Sequence, residues 1–355
     1  MTPPRTAPAL TPPDSTVLRA GTLSWLFPRR SALAVALLAP LALLLITVAV
    51  AASSTGMSPS QTVSGLLGTG DPGTVLIVRD FRLPRVLVGL MVGAALGIAG
   101  CLTQTLADNR LATPDLVGVN DGATAAVVAA AAGSTTGLVG HWWLGPLGAI
   151  AAAALVVLCA GGAGSRGYRV LVVGIGVSTF LGAVGDLVMS RQNDNTAGGV
   201  FLWAVGSLNG RDATAGTPLL VALVFLVPLC LAAGHRLQLL RFDDDLAAGL
   251  GVDLRRLRAA ALTLAVALAG VAVGVGGPIS FVALAAPILA QRLSGPTRVP
   301  VLGSALAGAC LTTAADALAR VAAPVELPVG VVTSVLGGPF LLWVLFRPDR
   351  NTGKV

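Results

Sequence analysis

Three arginines stand at the start of a long apolar segment, in the stretch RDFRLPRVLVGLMVGAALG at residues 79–97. They are Arg79, Arg82 and Arg85. A guanidinium group stays charged and presents a planar fork of donors that suits a carboxylate or a phosphate. Such a cluster can bind acidic groups of a protein partner, or it can anchor a helix end to lipid phosphates. The residue types alone leave both interpretations open.

Two acidic residues, Asp186 and Asp316, fall within apolar segments. Carboxylates inside a membrane are typical of carriers driven by protons or sodium ions. Both residues, however, lie near the predicted outer ends of their helices. Asp316 precedes Arg320 by four residues, which places the two side chains on one helical face and predicts a structural ion pair. A secondary transporter therefore remains only a remote alternative.

The motifs of the common hydrolytic enzymes are absent from the sequence. There is no GxxxxGK[ST] phosphate loop, no HExxH and no GxSxG. The four cysteines are far apart, and the two histidines fall in predicted loops on opposite sides of the membrane. We therefore expect no catalytic residues, no ATPase site, no metal site and no cofactor in this chain.

Composition indicates a membrane protein. Apolar residues make up 55% of the 355 residues, charged residues only 11%, and the mean hydropathy is +0.85. Apolar runs of about 20 residues recur, and each is long enough to cross a bilayer as a helix. These features predict an all-α polytopic membrane protein with about ten transmembrane helices. The formal charge of +7 is typical of basic cytoplasmic loops and does not indicate a nucleic-acid partner.

The distribution of basic residues predicts the orientation of these helices. The predicted spans are residues 31–52, 84–106, 117–135, 146–164, 170–190, 214–234, 259–276, 279–293, 300–319 and 329–346. With the N-terminus inside, 17 of the 23 Lys and Arg residues fall on the cytoplasmic side and 6 on the outer side. This asymmetry predicts that both termini are cytoplasmic.

The chain divides into a transmembrane domain and two tails. Residues 1–30 are rich in Pro, Ser and Thr, which predicts a disordered cytoplasmic tail. Residues 31–347 form the predicted transmembrane domain, and residues 348–355 form a cytoplasmic C-terminal tail. The apolar run after residue 30 is too long for a signal peptide, so we expect a retained first span.

One cytoplasmic loop is unusually long. Residues 235–258 read HRLQLLRFDDDLAAGLGVDLRRLR, and glycines at 249 and 251 interrupt its helix-forming residues. This pattern predicts two short helices joined by a turn. A docking platform for a soluble partner and a solvated loop with cytoplasmic arginines are equally compatible with it.

Glycines repeat every four residues in the second predicted span, at Gly89, Gly93 and Gly97. Such a stripe lets the backbones of neighbouring helices approach closely in a membrane. We favour this packing role over the alternative that the stripe lines a transport pathway.

Five stretches of the sequence resemble the FecCD-type permeases, which are membrane subunits of importers for ferric siderophores, heme and cobalamin. The matching stretches are RLPRVLVGLMVGAALGIAGCLTQTLADNRLATPDLVGVNDGA, LAAGLGVDLRRLRAAAL, GPISFVALAAP, ALAGACLTTAADALAR and ELPVGVVTSVLGGPFLLWVL. They follow the order of the family and cover most of residues 80–347. The resemblance implies a type II ABC importer in which two ten-helix permease subunits form the path. Two cytoplasmic ATPase subunits bind the ATP, and an extracytoplasmic binding protein delivers the substrate.

The resemblance also implies roles for particular residues. Arg82, Arg85 and Arg320 match arginines that face acidic residues of the binding protein. The segment of Leu250, Gly251, Val252 and Asp253 matches the segment that couples to the ATPase. Asn109, Gly167 and Tyr168 match positions of a cytoplasmic gate, although Tyr168 is also typical of an anchor at the membrane interface.

Two differences from the family pattern bear on the substrate class and on the subunit composition of the transporter. Pro287 is followed by Ile288 where many members carry a histidine, and residues 296–300 read PTRVP where many carry an Asp-His-Arg turn. The variant pattern resembles one of the two non-identical subunits of ferric-enterobactin-type permeases, which implies a heterodimer and favours an iron–siderophore complex over cobalamin. Import of cobalamin or heme by the same machinery is the alternative. The expected location is the bacterial cytoplasmic membrane. A membrane enzyme acting on lipid is a further alternative, and no catalytic constellation in the sequence supports it.

Overall fold

The computed structural model describes most of the chain. The described residues are 15–20, 23–52, 57–132, 142–162, 167–192, 194–241, 244–249, 251–295, 299–323 and 325–346.

Helices account for nearly all of the described structure, and they are numbered here in chain order after strands β1 (Ser15–Ala20) and β2 (Leu23–Pro28). The helices are α1 (Arg29–Ala51), α2 (Pro59–Leu67), α3 (Pro72–Leu76), α4 (Leu83–Ala107), α5 (Val119–Ala132), α6 (Leu144–Cys159), α7 (Gly167–Met189), α8 (Asp194–Ala204), α9 (Ala213–Leu237), α10 (Asp244–Gly249), α11 (Leu254–Gly276), α12 (Val282–Ser294), α13 (Val301–Val321) and α14 (Val329–Phe346).

The ten predicted spans correspond to ten of these helices. Six are long and apolar enough to cross a membrane: α1, the continuous helix through α4, α7, α9, α11 and α13. Four shorter apolar helices, α5, α6, α12 and α14, occupy the remaining predicted positions. The prediction of an all-α polytopic membrane protein is confirmed.

Helix α4 lies at the centre of the bundle and packs against α9, α11, α12 and α13. Over an 18-residue apolar segment of the helix that contains α4, 78% of the residues are buried, whereas the figure is 17% for the equivalent segments of α7 and α9. Close packing depends on its glycines, because a methyl group on Gly93 would come within 2.3 Å of the Gly308 carbonyl oxygen on α13. The same substitution at Gly97 would approach the Ser304 carbonyl oxygen within 2.1 Å. The glycine stripe therefore packs helices together, as favoured from the sequence.

The entry into α4 differs from the sequence prediction. The predicted span begins at residue 84, which is a proline, but the helical chain is continuous from Pro72 and contains a π-helical turn at Ile77–Arg82. A proline inside a helix clashes with the carbonyl four residues earlier, which is Asp80 here, and it lacks the N–H that would bond to it. A wider turn immediately before the proline accommodates both effects.

The N-terminal tail also differs from the sequence prediction over part of its length. Strands β1 and β2 form an antiparallel hairpin in which Ser15 is opposite Pro28, whereas the Pro, Ser and Thr content of residues 1–30 predicted disorder. The strands contain β-branched and aromatic residues such as Val17, Trp25 and Phe27, which favour extended structure. Residues 1–14 and 347–355 lie outside the described residues, so both tail predictions stay untested there.

Candidate functional site

Charged side chains from three parts of the chain meet at the end of the bundle that the sequence predicts to face outward. Arg82 and Arg85 come from the beginning of α4, Asp316 and Arg320 from the last turns of α13, and Glu326 from the loop that follows α13. We call these five residues the outer charge cluster. They meet because α4 and α13 are antiparallel neighbours, so that the start of one lies beside the end of the other.

Asp316 joins two of the arginines. Its Oδ1 accepts hydrogen bonds from Arg85 Nε at 3.1 Å and from Arg85 Nη2 at 3.0 Å. Its Oδ2 lies 3.0 Å from Arg320 Nη2, an ion pair that lacks hydrogen-bond alignment. The i,i+4 pair predicted from the spacing of Asp316 and Arg320 is thus present in the structure. Asp316 additionally contacts Arg85, which the sequence did not indicate.

Glu326 is the fifth member, and the sequence analysis gave it no role. Its Oε2 accepts a hydrogen bond from Arg85 Nη1 at 2.9 Å. Its side chain is 37% exposed, whereas that of Asp316 is 2% exposed. Glu326 is the single glutamate of the chain. Its being the single glutamate is the one feature of the sequence that could have drawn attention to it. That feature does not indicate Arg85, which is 241 residues away, as its partner.

The arginines also bind the ends of helices. Arg82 Nη1 donates to the Val50 carbonyl and Arg320 Nη1 donates to the Ala52 carbonyl, each at 3.3 Å. These carbonyls belong to the last turn of α1 and to the residue after it, where helical partners run out and a positive charge is favourable. Arg79 serves α2 in the same way, since its Nη2 donates to the Leu66 carbonyl at 2.8 Å.

The predicted docking arginines are therefore recessed. Arg82, Arg85 and Arg320 have relative exposures of 8%, 9% and 5%. The sequence led us to expect free rim charges or lipid anchors, but each of these arginines has internal partners in the folded chain. Three guanidinium groups share two carboxylates, so the cluster keeps a formal charge of +1.

The predicted coupling segment lies at the opposite end of the bundle. After α9, the described residues of this loop form a short 3₁₀ helix at Gln238–Arg241 and then α10. Gly251 has a positive φ of 77°, and the Val252 N–H donates to the Ala247 carbonyl at 3.3 Å. Leu250 lies outside the described residues.

Asp253 has a structural task in this segment. Its carboxylate accepts from the Arg256 N–H at 3.1 Å and so caps α11. The same carboxylate pairs with the Arg256 side chain at 3.0 Å. The cap fixes the point at which the coupling segment ends and the membrane helix begins.

The predicted gate residues lie at the ends of two helices, on the side of the bundle predicted to be cytoplasmic. Asn109 follows α4 and is exposed, and its side-chain oxygen accepts from the Leu111 N–H at 2.9 Å. Gly167 and Tyr168 begin α7, and Tyr168 is 79% exposed. Their assignment to a gate stays a prediction, as does the alternative that Tyr168 is an interfacial anchor.

A pair of carboxylates at the start of α5 was not predicted from the sequence. Asp115 lies in the 3₁₀ turn Pro114–Val117, and Asp121 lies in the first turn of α5. Burial, and secondly the nearby carboxylate of Asp121, raise the pKa of Asp115 to about 7. Ser178 on α7 donates a hydrogen bond to the Asp121 carboxylate. No sequence motif links these positions, because they meet only when α5 packs on α7.

The described part of the chain offers no metal centre, since it contains no group of three or more His, Cys, Asp or Glu side chains close enough to hold an ion.

Comparison with known proteins gives a consistent set of relatives. The FecCD transport family matches residues 41–347. The ferric enterobactin transport system permease protein FepG of Escherichia coli (strain K12) is 36% identical over 296 residues, covering 83% of this chain and 90% of that protein.

Two further relatives come from one transport system of the same organism. The Fe(3+) dicitrate transport system permease proteins FecC and FecD are 36% and 37% identical to this chain. Each alignment covers 76% of this chain, together with 83% of FecC and 85% of FecD.

A solved structure shares the fold. It is described as an inward-facing conformation of a putative metal-chelate type ABC transporter, and it superposes with a TM-score of 0.78 at 23% identity. The match covers 90% of this chain and all of the other.

Proposed function

The chain belongs to the FecCD transport family, and from this premise we propose that it is the permease subunit of an ABC importer for an iron–siderophore complex. The observation that carries the proposal is the family match over residues 41–347. It is supported by three ferric-chelate permeases that are 36–37% identical over most of their length. The chain supplies the path through the bacterial cytoplasmic membrane, and partner ATPase subunits supply the energy.

The proposal includes the partners and the orientation of the chain. An importer of this kind works with cytoplasmic ATPase subunits and with an extracytoplasmic binding protein. We infer a second, non-identical permease subunit, because FecC and FecD are two different permease proteins of one dicitrate system. We infer cytoplasmic termini from the excess of basic residues on the predicted inner side.

Transport in a reconstituted system tests this function. The permease, its partner permease subunit and the ATPase are reconstituted in liposomes with the ATPase and ATP inside, and the loaded binding protein is added outside. We expect radioactive iron offered as a ferric siderophore to cross the bilayer only when ATP and the binding protein are both present. The matched controls omit ATP, omit the binding protein, or replace the cargo by cobalamin or heme. Transport of cobalamin or heme without transport of iron would contradict the substrate class, and uptake driven by a proton gradient without ATPase would contradict the importer.

The outer charge cluster is the site that we propose for the binding protein. Arg82, Arg85 and Arg320 lie together at the predicted outer end and carry more positive charge than Asp316 and Glu326 neutralise. A guanidinium in such a recess offers directional hydrogen bonds to a carboxylate that reaches in. Charges of this kind chiefly set the encounter rate and the orientation of a complex.

Arg82 provides the cleanest substitution in this cluster. Charge reversal at Arg85 would put a third carboxylate beside Asp316 and Glu326, so it would disturb the fold. Arg82→Gln keeps a donor for the Val50 carbonyl and removes one charge. We expect the association rate with the loaded binding protein to fall by a factor on the order of three to ten at low salt, and this difference to shrink as salt rises. The association rates of the unmodified and Arg82→Gln permeases are measured at low and high salt, with the permease immobilised in nanodiscs and the binding protein in solution.

Arg79→Gln is the matched control, because Arg79 lies on the same side, binds a helix-end carbonyl and is not among the predicted docking residues. An equal decrease for both variants would indicate a general effect of surface charge. An unchanged rate for Arg82→Gln would overturn the docking site.

We also propose that α10 with Gly251, Val252 and Asp253 contacts the ATPase, together with Leu250. The segment's place on the predicted cytoplasmic side supports this, as does the exposure of Leu246 on α10 at 56%. An apolar side chain exposed beyond the membrane helices suits a groove on a soluble partner. Asn109, Gly167 and Tyr168 at the inner ends of α4 and α7 remain our proposal for the gate.

A further inference from the structure

Arg85 divides its hydrogen bonds between two different carboxylates. Two of its nitrogens, Nε and Nη2, donate to Asp316, which is buried within α13. The third nitrogen, Nη1, donates to Glu326 in the loop between α13 and α14. Asp316 is fixed by its helix and by Arg320, whereas Glu326 is partly exposed on a connecting segment.

The backbone next to Glu326 is anchored, so its side chain can leave Arg85 without a rearrangement of the loop. The Leu327 N–H donates to the Ala319 carbonyl at 3.2 Å and ties the loop to the end of α13. Rotation about the side-chain bonds of Glu326 is then sufficient to release Arg85 Nη1. Such rotations are fast for partly exposed residues.

We propose that Glu326 is an internal stand-in for a carboxylate of the binding protein. In the free permease it occupies the third nitrogen of Arg85, and on docking it gives up that nitrogen to the partner's carboxylate. Asp316 keeps its two bonds to Arg85 throughout and serves as a positioning residue. This inference rests on the proposed docking function.

Exchange of one carboxylate for another explains why a recessed arginine can serve as a docking group. Arg85 shares the Asp316 carboxylate with Arg320, so these two buried guanidinium groups need a second counter-charge in the free permease. The Glu326 carboxylate is 37% exposed, so solvent screens its pair with Arg85 and loss of that pair costs less than loss of a fully buried one. The binding protein therefore competes with Glu326 for Arg85. Its apparent affinity equals its intrinsic affinity multiplied by the fraction of permease molecules in which Glu326 has released Arg85.

Removal of the competitor gives a measurable gain in affinity. Glu326→Gln removes the charge while keeping the size of the side chain. We expect the loaded binding protein to bind Glu326→Gln permease about two- to fivefold more tightly, which is the range for an ion pair that solvent partly screens. The measurement uses the permease–ATPase complex in nanodiscs without nucleotide. Glu326→Ala should give the same direction, and thermal unfolding of both variants checks that they fold.

Asp80→Asn is the matched control for charge. Asp80 is exposed in the π-helical turn on the same side, and its substitution changes the net charge of that surface by the same amount. We expect it to leave the affinity unchanged. An equal gain for Asp80→Asn would overturn the stand-in, because long-range electrostatics would then account for both variants.

A double substitution tests whether the effect of Glu326 passes through Arg85. In an Arg85→Gln background, Glu326→Gln should no longer change the affinity, since its competitor contact is gone. A gain that persists there would overturn the proposal. If Glu326→Gln binds no more tightly while Arg82→Gln still slows association, docking stands and the stand-in fails. If Arg82→Gln has no effect either, the docking site itself fails.

Discussion

Substitution of Gly97 by alanine is expected to prevent the permease from reaching its folded state in the membrane. The added methyl carbon would lie 2.1 Å from the Ser304 carbonyl oxygen and 3.3 Å from Ala286 Cβ. A backbone atom of α13 cannot rotate away as a side chain can, so α4 and α13 must separate along their contact. Overpacking of this kind costs about 3 kcal/mol or more when the obstruction is backbone. Fluorescence-detected size-exclusion chromatography of the detergent extract reads out the loss of the folded species.

Gly89 of the same helix provides the matched control. A methyl group there would meet only the Leu208 Cδ1 atom at 2.9 Å, the far end of a flexible side chain. Alanine is also the better helix former by about 1 kcal/mol. Gly89→Ala should therefore elute at the position and yield of the unmodified permease. A folded Gly97→Ala permease of normal yield would show that the α4–α13 contact is not as close as the structure has it.

The membrane spans could be predicted because their signal is local. A run of about 20 apolar residues crosses a bilayer whatever its neighbours do. This reasoning located even the short helices α12 and α14. It does not locate the start of the helix that contains α4, because the predicted span begins at residue 84 whereas the helical chain begins at Pro72 and includes a π-helical turn at Ile77–Arg82. Proline is common in the first turn of a helix and also occurs inside helices that are locally distorted. The sequence alone does not tell these two cases apart, because tertiary packing decides between them.

The outer charge cluster was predictable only in part, because its contacts differ in sequence separation. Asp316 and Arg320 are four residues apart on one helix, so their pairing follows from helical geometry. Arg85 and Asp316 are 231 residues apart, and nothing local to either residue indicates the other. Their contact required the antiparallel packing of α4 on α13, which the glycine stripe permits but does not specify.

Arginines on the side predicted to face outward look anomalous when basic residues are counted, and the structure gives a physical reason for them. Helix α1 ends there, and the final carbonyls of a helix have no partners within it. Arg82 and Arg320 donate to carbonyls at this end, and Arg79 does the same for α2. Positive charge at the C-terminus of a helix is favourable. These three arginines therefore stabilise the folded permease before any partner binds. A docking partner would have to contact guanidinium groups that already have hydrogen-bond partners within the chain.

The largest single loss of stability is expected for Asp316→Asn. Asp316 is 2% exposed and serves Arg85 and Arg320 together, so the neutral amide removes the counter-charge of two buried guanidinium groups. The amide N–H groups of the asparagine would also face the N–H groups of Arg85 or Arg320, so that donor would meet donor. Removal of one partner from a buried pair costs about 3–5 kcal/mol, whereas Glu326→Gln, at a half-exposed pair, should cost about 1 kcal/mol or less. Thermal unfolding of the purified permease compares the two variants directly. Because the deficit comes from excess positive charge, the double variant Asp316→Asn/Arg320→Gln should recover part of the lost stability. An Asp316→Asn permease that unfolds at the same temperature as the unmodified one would show that the two arginines do not depend on this carboxylate.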